Sequence, residues 1–522
     1  MPQDSLSTIA EIIRTHGANR PEIPALEIGG RSVTYGELDA RSSQVAQALQ
    51  AAGVGRDDRV AFVGKNSIEW FEVAFGLAKL GAVNVTVNWR LAPAEMLHIV
   101  NDARAVLLII SDEFVEHLEK IESELHDVAT IVTTCLHDRW LRYEAWVEEQ
   151  PIEDPGVQAA GEDVAFQFYT SGTTGLPKGV MITNDNFFHH VIEIADRYRL
   201  TTDAVNLVTL PMFHVGGLRS TLMAMLVGCR TVVMREADPA EILRIIPKYG
   251  VTVANMVPAV IQFVLGVPAA NHTDFSSLRT VIYASAPITD SVLVAGLEAF
   301  ACEFIQGYGL TETTALITEL AGPEHDPRNR PHLLRSCGKP YPWVEIRIVD
   351  PSTGEDMPQG EVGELWTRSG HNMKGYWNNP TATAQTVTAD GWLKTGDAGY
   401  VDADGFVFLH DRMKDMIVTG GENVYPAEVE NILMNHPGVG EVAVIGVPDE
   451  RWGEAVKAVV VKAPGADLTE AGLIAFARES LAGYKLPKSV DYVDTLPRNP
   501  MGKVLKRKLR EHYWAGVHRR IG

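Results

Sequence analysis

Short runs of β-branched and other apolar residues alternate along the chain with longer amphipathic segments. The apolar runs predict buried β-strands at residues 60–63, 83–87, 105–110, 231–234 and 280–283. The amphipathic segments predict helices at residues 68–80, 239–249 and 290–300. Alternating strands and helices are typical of α/β layers built on largely parallel sheets, which is the fold class that we predict.

The pattern changes after about Asp404, where a short stretch at residues 410–417 is dense in charge. We then predict helices at 427–435 and 469–482, strands at 441–447, 455–462 and 489–493, and a basic helix from Val504. Roughly 110 residues are enough for a small α+β domain. The chain is therefore predicted to form a large N-terminal domain of layered α/β subdomains over residues 1–410 and a small α+β C-terminal domain over residues 411–522.

Composition places the chain among ordinary globular proteins, because 46% of its 522 residues are hydrophobic and 22% are charged. The 67 acidic residues outnumber the 46 Lys and Arg, which gives a formal net charge of −21. So acidic a chain is a poor nucleic-acid binder, since phosphate contacts need clustered cations. From Lys485 onward, however, ten Lys and Arg stand against three acidic residues. The alternatives for this basic region are a binding site for a small anionic ligand and a solvated basic surface.

Nothing in the sequence indicates secretion, a membrane span or a cysteine-based site. Asp4 and Glu11 lie where a signal peptide would be basic and then apolar. No run approaches the roughly 18 apolar residues of a membrane-spanning helix. The four cysteines are far apart and match neither a disulfide framework nor a zinc motif. We expect a protein of the reduced cytoplasm.

The strongest chemical signal is a loop rich in glycine and hydroxyl groups that follows a strand-like run at residues 164–168. The loop contains Thr170, Ser171, Gly172, Thr173, Thr174, Gly175 and Lys178. Its glycines let backbone N–H groups approach an anion, and its hydroxyls and lysine add donors. A surface turn is the ordinary alternative. Because Pro177 lacks an N–H and no helix starts after Lys178, the loop differs from a P-loop and is predicted to close over a triphosphate as a flap.

Further motifs lie downstream of this loop. They are Ala284-Ser285-Ala286-Pro287, Gln306-Gly307-Tyr308-Gly309-Leu310-Thr311-Glu312-Thr313, Trp392-Leu393-Lys394-Thr395-Gly396-Asp397, Asp411-Arg412-Met413-Lys414-Asp415 and Pro497-Arg498-Asn499-Pro500-Met501-Gly502-Lys503. Taken alone, each has an ordinary structural reading, such as a helix start, a turn or an exposed lysine. Together they resemble the adenylate-forming superfamily of acyl-CoA synthetases, peptide-synthetase adenylation domains and luciferases. The resemblance runs from Thr34 to Lys503 and is closest to bacterial fatty-acid–CoA ligases.

The resemblance implies an ATP site, and the residues present suit its parts. Tyr308 offers a flat ring to adenine, and Glu312 is a hard oxygen ligand for a Mg²⁺ ion that would bridge the phosphates. Asp397 and Arg412 are implied to hold the ribose hydroxyls. The other implied nucleotide-binding residues are Thr170, Ser171, Gly172, Thr173, Thr174, Gly175, Ser285, Ala286, Pro287, Gln306, Gly307, Gly309 and Thr311. The family more often has glycines at the start of the motif at 284–287.

The implied catalytic residues are Lys503, Lys178, Thr311 and His214. Lys503 follows a Pro- and Gly-containing loop, and a lysine is a compact cation for the charge that grows between carboxylate and α-phosphate. Lys414 is the implied hinge of a mobile C-terminal domain, which would present a different face in each of two steps.

The resemblance also implies a CoA site. Gly420 and Gly421 leave room for the narrow pantetheine chain, and Trp452 offers a ring to the CoA adenine. Glu422, Tyr484, Lys488 and Arg90 are further candidates for contact with CoA. For Tyr484, Lys488 and Arg90, packing or a solvated surface is an equal alternative.

An acyl pocket is implied at Met212, Phe213, His214, Val215, Gly216, Gly217 and Val257. Its glycines leave space and most of its other residues are apolar, which favours an apolar acyl chain. His214 is predicted to be neutral and to gate between pocket and thiol channel, the alternative being a packed histidine at a strand end. Arg219 complicates the apolar picture. Arg197 and Arg199 suit either an anionic membrane surface or a solvated loop.

The sequence therefore predicts an ATP- and Mg²⁺-dependent acid–CoA ligase that adenylates a medium- or long-chain fatty acid and transfers the acyl group to CoA. An aryl or steroid-side-chain acid is the alternative substrate. An enzyme that stops at the adenylate or oxidises it without CoA is the alternative reaction, and a non-enzymatic nucleotide-binding module is the alternative class. No nucleic-acid partner is expected, while peripheral membrane contact and a homodimer stay open.

Overall fold

The structure is a computed structural model that describes residues 6–170, 176–314, 316–412, 415–420, 422–449, 451–498 and 504–515. The strands are β1 (Pro24–Ile28), β2 (Arg31–Thr34), β3 (Arg59–Val63), β4 (Val83–Val87), β5 (Leu107–Ile110), β6 (Thr130–Thr133), β7 (Leu141–Arg142), β8 (Val164–Thr170), β9 (Lys178–Thr183), β10 (Val205–Val208), β11 (Arg230–Val233), β12 (Val253–Met256), β13 (Thr280–Ala284), β14 (Glu303–Gly309), β15 (Leu316–Leu320), β16 (Lys339–Pro340), β17 (Glu345–Val349), β18 (Gly363–Arg368), β19 (Gly375–Tyr376), β20 (Leu393–Val401), β21 (Val407–Arg412), β22 (Ile417–Thr419), β23 (Glu422–Val424), β24 (Val439–Asp449), β25 (Gly453–Lys462) and β26 (Ser489–Tyr492).

The α-helices are α1 (Ile9–Asn19), α2 (Tyr35–Ala51), α3 (Ile68–Leu80), α4 (Pro93–Asp102), α5 (Val115–Glu119), α6 (Tyr143–Glu148), α7 (Asn184–Phe188), α8 (Val191–Arg197), α9 (Val215–Val227), α10 (Pro239–Tyr249), α11 (Pro258–Gly266), α12 (Asp290–Phe300), α13 (Pro380–Thr386), α14 (Pro426–Leu433), α15 (Glu470–Arg478) and α16 (Lys506–Arg510).

One large sheet has eight strands in the order β19-β9-β8-β4-β3-β5-β6-β7. Strands β3 to β8 pair in parallel, whereas β9 pairs antiparallel with β8 and β19 with β9. Every residue of β3, β4 and β5 is buried, as expected for parallel strands covered on both faces. The glycine-rich loop of the sequence joins the paired strands β8 and β9.

A second large sheet has nine strands in the order β16-β15-β14-β13-β12-β10-β11-β1-β2. Strands β1 and β10 to β14 are parallel, and β2, β15 and β16 add antiparallel edges. Helices α10, α11 and α12 bury their apolar faces against this sheet, where the rings of Phe300 and Phe304 stack with centres 6.0 Å apart. Motif residues after β13 and β14 therefore lie at the same edge of the sheet.

The predicted elements of this region are confirmed. Helices α3, α10 and α12 have the predicted bounds, and β4 is the predicted strand at residues 83–87. Strands β3 and β13 differ from prediction by one residue at one end, β11 is shifted by one residue at both ends, and β5 begins at Leu107 instead of residue 105. The prediction of largely parallel sheets is also confirmed.

Contacts within the chain divide it into two compact units, residues 1–345 with 368–393 and residues 346–367 with 394–522. The second unit contains a sheet in the order β17-β18-β20-β21, in which β20 and β21 are antiparallel. A second, antiparallel sheet has the order β23-β22-β25-β24, with β26 parallel to β25. The division into two units does not show at which residue a hinge lies. The domain limits at residues 410 and 411 therefore stay a prediction.

The second unit contains the α+β elements expected after residue 427. Strands β24, β25 and β26 and helices α14 and α15 correspond to the predicted elements, although α15 ends at Arg478 instead of residue 482. The basic helix begins at Lys506, two residues later than predicted. Across the described ranges of the whole chain, no helix combines the length and the apolar character that a bilayer crossing requires.

Candidate active site

Side chains from both large sheets meet at the carboxyl end of β8. Thr170 ends β8, and Lys178, which begins β9, pairs with it in the ladder. The Thr170 hydroxyl donates to Oε1 of Glu312 at 3.3 Å. Tyr376 donates to the same Oε1 at 3.0 Å, and Nζ of Lys178 lies 5.1 Å from the centre of the Tyr376 ring. These four residues form the Glu312 cluster, which lies at the edge where open α/β sheets bind ligands.

The backbone around Glu312 is fixed and locally strained. The backbone N–H of Met373 donates to the Glu312 carbonyl oxygen at 2.8 Å. Thr314 has φ +53°, a left-handed conformation that β-branched residues rarely adopt. Its buried hydroxyl has no hydrogen-bond partner among the described residues. Strain of this kind is often found at functional sites, where the surrounding structure holds a demanding geometry in place.

The Glu312 cluster suits a Mg²⁺ ion that is shared with a phosphate ligand. Both hydrogen bonds from Thr170 and Tyr376 fall on Oε1, so that Oε2 can face a cation. Mg²⁺ commonly takes one or two carboxylates and fills its shell with phosphate oxygens and waters. Over the residues that the structure describes, no group of three or more His, Cys, Asp or Glu could hold a metal. A single carboxylate therefore fits the predicted shared ion better than a resident structural metal.

A polar network anchors the strand that leads into the glycine-rich loop. Tyr169 donates to Asp102 Oδ2 at 2.6 Å and accepts from Gln167 at 3.0 Å. The Arg59 guanidinium carbon lies 3.4 Å from the centre of the Trp377 ring, and Trp377 donates to the Asp102 carbonyl oxygen. Burial and Asp102 raise the pKa of Tyr169, which keeps its phenol protonated as a donor. The network fixes both the loop's entry strand and β19, which carries Tyr376.

The predicted adenine loop contains a backbone conformation that is typical of glycine. Ser285 has φ +74°, in the left-handed region. The preceding residue, Ala284, pairs with Gly307 of β14, so the motifs at 284–287 and 306–313 are neighbours. A Cβ on Gly307 would lie 2.1 Å from Leu316 Cδ1. Glycine is therefore required at Gly307 by close packing, while Tyr308 beside it is largely buried.

Asn66 fixes the loop that carries the predicted acyl motif. This buried side chain donates to the carbonyl oxygens of Leu210 at 3.0 Å and Met234 at 2.7 Å. Its Oδ1 accepts from the backbone N–H of Met212 at 2.8 Å. All of its polar atoms thus serve one junction between the two large sheets. Sequence reasoning missed Asn66, because its partners lie 144 to 168 residues away.

His214 caps helix α9 instead of projecting freely from a strand end. Its Nδ1 accepts from the backbone N–H of Gly216 at 3.1 Å, so a neutral ring carries its proton on Nε2. A Cβ on Gly217 would lie 2.4 Å from the Pro211 carbonyl oxygen. Gly217 is thus needed for close backbone approach. Met212 and Val215 are buried beside this junction, and the half-buried Val257 precedes α11.

Phe213 borders a surface of aromatic rings and cations. Its ring centre lies 6.3 Å from that of Trp89 in an edge-to-face contact. The Arg90 guanidinium lies 4.6 Å from the Trp89 ring centre and 5.7 Å from that of Phe213. Lys65 approaches the same indole at 5.3 Å. The structure thus places the exposed Arg90 next to the acyl motif, and its role in CoA binding stays a prediction.

The predicted ribose pair lies on adjacent strands of the second unit. Asp397 of β20 is directly opposite Arg412 of β21 in the ladder. The Asp397 carboxylate is buried, and its backbone N–H donates to the Thr395 hydroxyl at 3.1 Å. Thr395 in turn donates to the Leu365 carbonyl oxygen at 2.7 Å. Two strands thus fix the position of Asp397, whose role in ribose binding stays a prediction.

Gly420 and Trp452, both predicted for CoA, are in direct contact. The Gly420 N–H donates to the Trp452 carbonyl oxygen at 2.8 Å, and a Cβ on Gly420 would lie 2.7 Å from the indole. Trp452 remains 43% exposed, and the guanidinium of Arg451 lies 4.6 Å from its ring centre. Lys488 is exposed beside Val456, on the strand that begins one residue after Trp452. Such a ring and nearby cations suit an adenine nucleotide.

Comparison with known proteins identifies the family. The model of the AMP-binding enzyme family matches residues 13–377, and that of the AMP-binding enzyme C-terminal domain matches residues 428–503. The chain belongs to the AMP-binding enzyme family. The predicted resemblance to the adenylate-forming superfamily is thereby confirmed, as is the enzyme class, an AMP-forming acid–thiol ligase.

Relatives match this AMP-binding enzyme over almost its whole length. It is 39% identical over 521 residues to the fatty acid–[acyl-carrier-protein] ligase ScoC of Streptomyces coeruleorubidus, covering 99% of this chain and 98% of that one. It is 38% identical to a feruloyl-CoA synthase of an Amycolatopsis species over 498 residues, or 94% and 96% of the two chains. The crystal structure of the anthranilate CoA ligase AuaEII with anthranoyl-AMP superposes with a TM-score of 0.89 at 29% identity, covering 98% and 99%. The predicted fold, a large α/β domain with a small C-terminal domain, is confirmed.

Several predicted residues of this AMP-binding enzyme lie outside the described residues. They are Ser171, Gly172, Thr173, Thr174, Gly175, Lys414, Gly421 and Lys503. Their roles stay predictions. The structure places Glu422 and Tyr484 at exposed positions of the second unit. Tyr376 was missed by sequence reasoning, because only the pairing of β19 with β9 brings it to Glu312.

Proposed function

We propose that this enzyme is an ATP-dependent acid–CoA ligase. In the first step a carboxylate oxygen attacks the α-phosphorus of ATP, which forms the acyl-adenylate and releases pyrophosphate. In the second step the CoA thiol attacks the acyl carbon, the thioester forms, AMP leaves and the thiol proton goes to solvent. The observation that carries the proposal is the Glu312 cluster, in which a lysine, a carboxylate and two hydroxyls converge beside the glycine-rich loop.

The residues of the Glu312 cluster have separate roles in the proposed first step. Glu312 would hold Mg²⁺, whose charge neutralises the phosphates and stabilises the departing pyrophosphate. Lys178 supplies a cation to the same phosphates, and Thr311 a hydroxyl. Tyr376 and Thr170 orient the Glu312 carboxylate by donating to Oε1. Catalysis then rests on positioning and charge neutralisation, and no side chain acts as a nucleophile.

The remaining proposed roles follow the predicted motifs. Lys503 would balance the charge that develops between the carboxylate and the α-phosphate, and Asp397 with Arg412 would hold the ribose. His214, with its proton on Nε2, would face the junction of acyl pocket and thiol path. Arg90, Gly420 and Trp452 would contact CoA. Lys414 would act as the hinge between the two steps.

We propose a medium- or long-chain acid as the substrate. Met212, Phe213, Val215 and Val257 give the acyl motif an apolar lining, and Gly216 and Gly217 add no side chain to it. An aryl acid is the second candidate, because relatives at 38% and 29% identity are named for feruloyl and anthranilate groups.

An acyl carrier protein is a second candidate for the thiol acceptor. The relative at 39% identity is named a fatty acid–[acyl-carrier-protein] ligase. A carrier protein presents the same phosphopantetheine thiol as CoA, so both acceptors use the same second step. Trp452 favours CoA, because an exposed ring suits the adenine that a carrier protein lacks.

The proposal is tested by measuring pyrophosphate and AMP separately with acids from C4 to C18 and with aryl acids. An acid–CoA ligase forms thioester and AMP in equal amounts only when CoA is present. Turnover with a phosphopantetheinylated carrier protein and not with CoA would select the second acceptor. ATP binding without pyrophosphate release for any acid would reduce the protein to a nucleotide-binding module.

A further inference from the structure

Arg219 is a buried cation that the proposed function does not use. It lies on α9 four residues after Val215, and is therefore on the same face of the helix, one turn further along. The side chain is 6% exposed, and Nη1 donates to the Phe187 carbonyl oxygen at 3.1 Å. Nη2 is buried and has no hydrogen-bond partner in the described ranges.

The charge of Arg219 is not balanced by a carboxylate among the described residues. The groups that favour its charged form there are the phenols of Tyr198 and Tyr341, whose hydroxyls lie 3.0 Å apart, and the Phe187 ring, whose centre lies 5.5 Å from the guanidinium carbon. Burial lowers the pKa of Arg219 to about 10, so the guanidinium stays protonated at neutral pH. Buried charges in proteins are normally paired, because an isolated one loses its hydration without compensation.

Two histidines near Arg219 each have one ring nitrogen without a hydrogen-bond partner among the described residues. Nε2 of His371 donates to the His189 carbonyl oxygen at 2.8 Å, which leaves Nδ1 of the neutral ring as an acceptor. This Nδ1 and Nε2 of His189 are both buried without a hydrogen-bond partner in the described part of the chain. The two ring centres are 5.0 Å apart. Burial and the positive charge of Arg219 lower the pKa of both histidines.

Arg219, His189 and His371, here the Arg219 group, are linked to the candidate active site along the chain. Arg219 lies five residues after His214, within the helix that His214 caps. His371 lies two residues before Met373, whose N–H donates to the Glu312 carbonyl oxygen. Buried polar atoms that lack partners in native proteins usually face a ligand, an ion or water. One such atom on the Arg219 guanidinium and one on each neighbouring histidine indicate a built site.

We propose that the Arg219 group binds a second carboxylate of the acid substrate, at the end remote from the carboxylate that is activated. This inference rests on the proposed acid–CoA ligase function and narrows its substrate to α,ω-dicarboxylic acids. A carboxylate accepts from Arg219 Nη2 and from the Nε2–H of a neutral His189 ring, and supplies the missing counter-charge. A water bound to that carboxylate donates to His371 Nδ1. The apolar residues of the acyl motif hold the chain between the two ends.

Two other occupants satisfy the site less well. Water supplies hydrogen-bond acceptors but no negative charge, so it leaves the Arg219 guanidinium unbalanced. The methyl end of a fatty acid supplies neither, and would leave all three polar atoms without partners. Only an anionic group supplies both the missing hydrogen-bond acceptor and the missing counter-charge.

The experiment compares acids of equal length with one or two carboxylates, from octanoate and octanedioate to dodecanoate and dodecanedioate. Wild-type enzyme is expected to have a kcat/KM for CoA-thioester formation roughly 10- to 100-fold higher for the diacids, the range typical of a charged hydrogen bond. Arg219→Met is expected to abolish or reverse this preference, and Arg219→Lys to keep part of it. The control is Arg279→Met, which removes a half-exposed arginine whose partner Asp203 is also exposed, and it is expected to keep the ratio.

A second readout is independent of turnover. Millimolar octanedioate without ATP is expected to raise the melting temperature of the wild type and Arg279→Met but not of Arg219→Met. If no acid gives a thioester while this shift appears, the proposed function fails and the anion site stands. If monoacids are used as well as diacids and Arg219→Met leaves the ratio and the melting shift unchanged, the Arg219 inference is wrong.

Discussion

Glu312 is the residue at which charge matters most in the proposed first step. Its Oε1 accepts hydrogen bonds from Thr170 and Tyr376, so an amide can keep the shape of the side chain while losing its charge. Glu312→Gln is expected to slow pyrophosphate release roughly 10²- to 10³-fold and to raise the Mg²⁺ concentration needed. Tyr376→Phe, which removes one donor, is expected to cost only about 3- to 10-fold. Equal losses in the two variants would show that Glu312 merely orders the turn.

A second prediction at this scale concerns His325, which is buried between Tyr283 and the Ala321 carbonyl oxygen at 3.0 Å from each. Burial lowers its pKa to about 4. An unfolded histidine has a pKa near 6.5, so between these values the unfolded chain binds a proton that the folded chain does not. Stability therefore falls as the pH falls from about 6.5 towards 4, by roughly 2 kcal/mol at pH 5.

His325→Gln keeps hydrogen-bonding groups at this position and does not titrate. The variant is expected to lose part of the decrease in melting temperature between pH 7 and pH 5, and the rest belongs to other buried histidines such as His371. Thermal melts at both pH values check this. An unchanged decrease would mean that His325 is protonated within the fold.

At the scale of elements, the junction between β10 and α9 depends on one of two adjacent glycines. A Cβ on Gly217 would meet the Pro211 carbonyl oxygen at 2.4 Å, whereas one on Gly216 would meet side chains of His214 and Leu210 at 3.2 Å or more. Gly217→Ala is expected to destabilise the fold by about 1–3 kcal/mol and to raise the KM for the acid. Gly216→Ala is the matched control, with an expected effect below about 1 kcal/mol. Similar melting temperatures for the two variants would contradict the close approach.

The turn that joins Gly420 to Trp452 gives a corresponding prediction for CoA. Gly420 has φ +62°, and the Cβ that Gly420→Ala adds would lie 2.7 Å from the indole. The substitution is therefore expected to displace the ring and to raise the KM for CoA roughly tenfold. Pyrophosphate release in the absence of CoA should stay within a factor of about two. The control Gly453→Ala has similar strain at φ +82°, but its nearest atom is 3.9 Å away. A rise in KM shared by both variants would assign the effect to strain.

The sequence pattern predicted helices and strands well where one face of the element, or the whole element, is buried. The helix α10 and the strand β4 have the predicted bounds, because their periodicity reflects packing within a single element. The sequence also predicted Thr170, Lys178 and Glu312 as site residues from distinctive motifs, and the structure brings them together. Tyr376, Asn66 and the two histidines of the Arg219 group were not predicted as parts of a site, and Arg219 was noted only as a complication of the apolar acyl pocket. Their function depends on pairing between elements far apart in the chain, which leaves no local signal.

At the scale of the whole molecule, two large α/β sheets bring their functional loops together in the first unit, and the second unit carries the predicted ribose residues and, apart from Arg90, the predicted CoA residues. The family match covers both units. Fold and reaction class therefore follow from the complete chain, whereas our proposal for the acid rests on a few side chains near α9. Relatives of the same fold are named for fatty, feruloyl and anthranilate groups.

The central claim is that the acid's own carboxylate oxygen attacks the α-phosphorus of ATP. Supplying the enzyme with ATP, CoA and octanoate or octanedioate labelled with ¹⁸O in its carboxylates, and analysing the products by mass spectrometry, tests this directly. The account predicts one ¹⁸O in each AMP formed, none in pyrophosphate, and one AMP per thioester. Label in inorganic phosphate together with ADP, or unlabelled AMP, would contradict it.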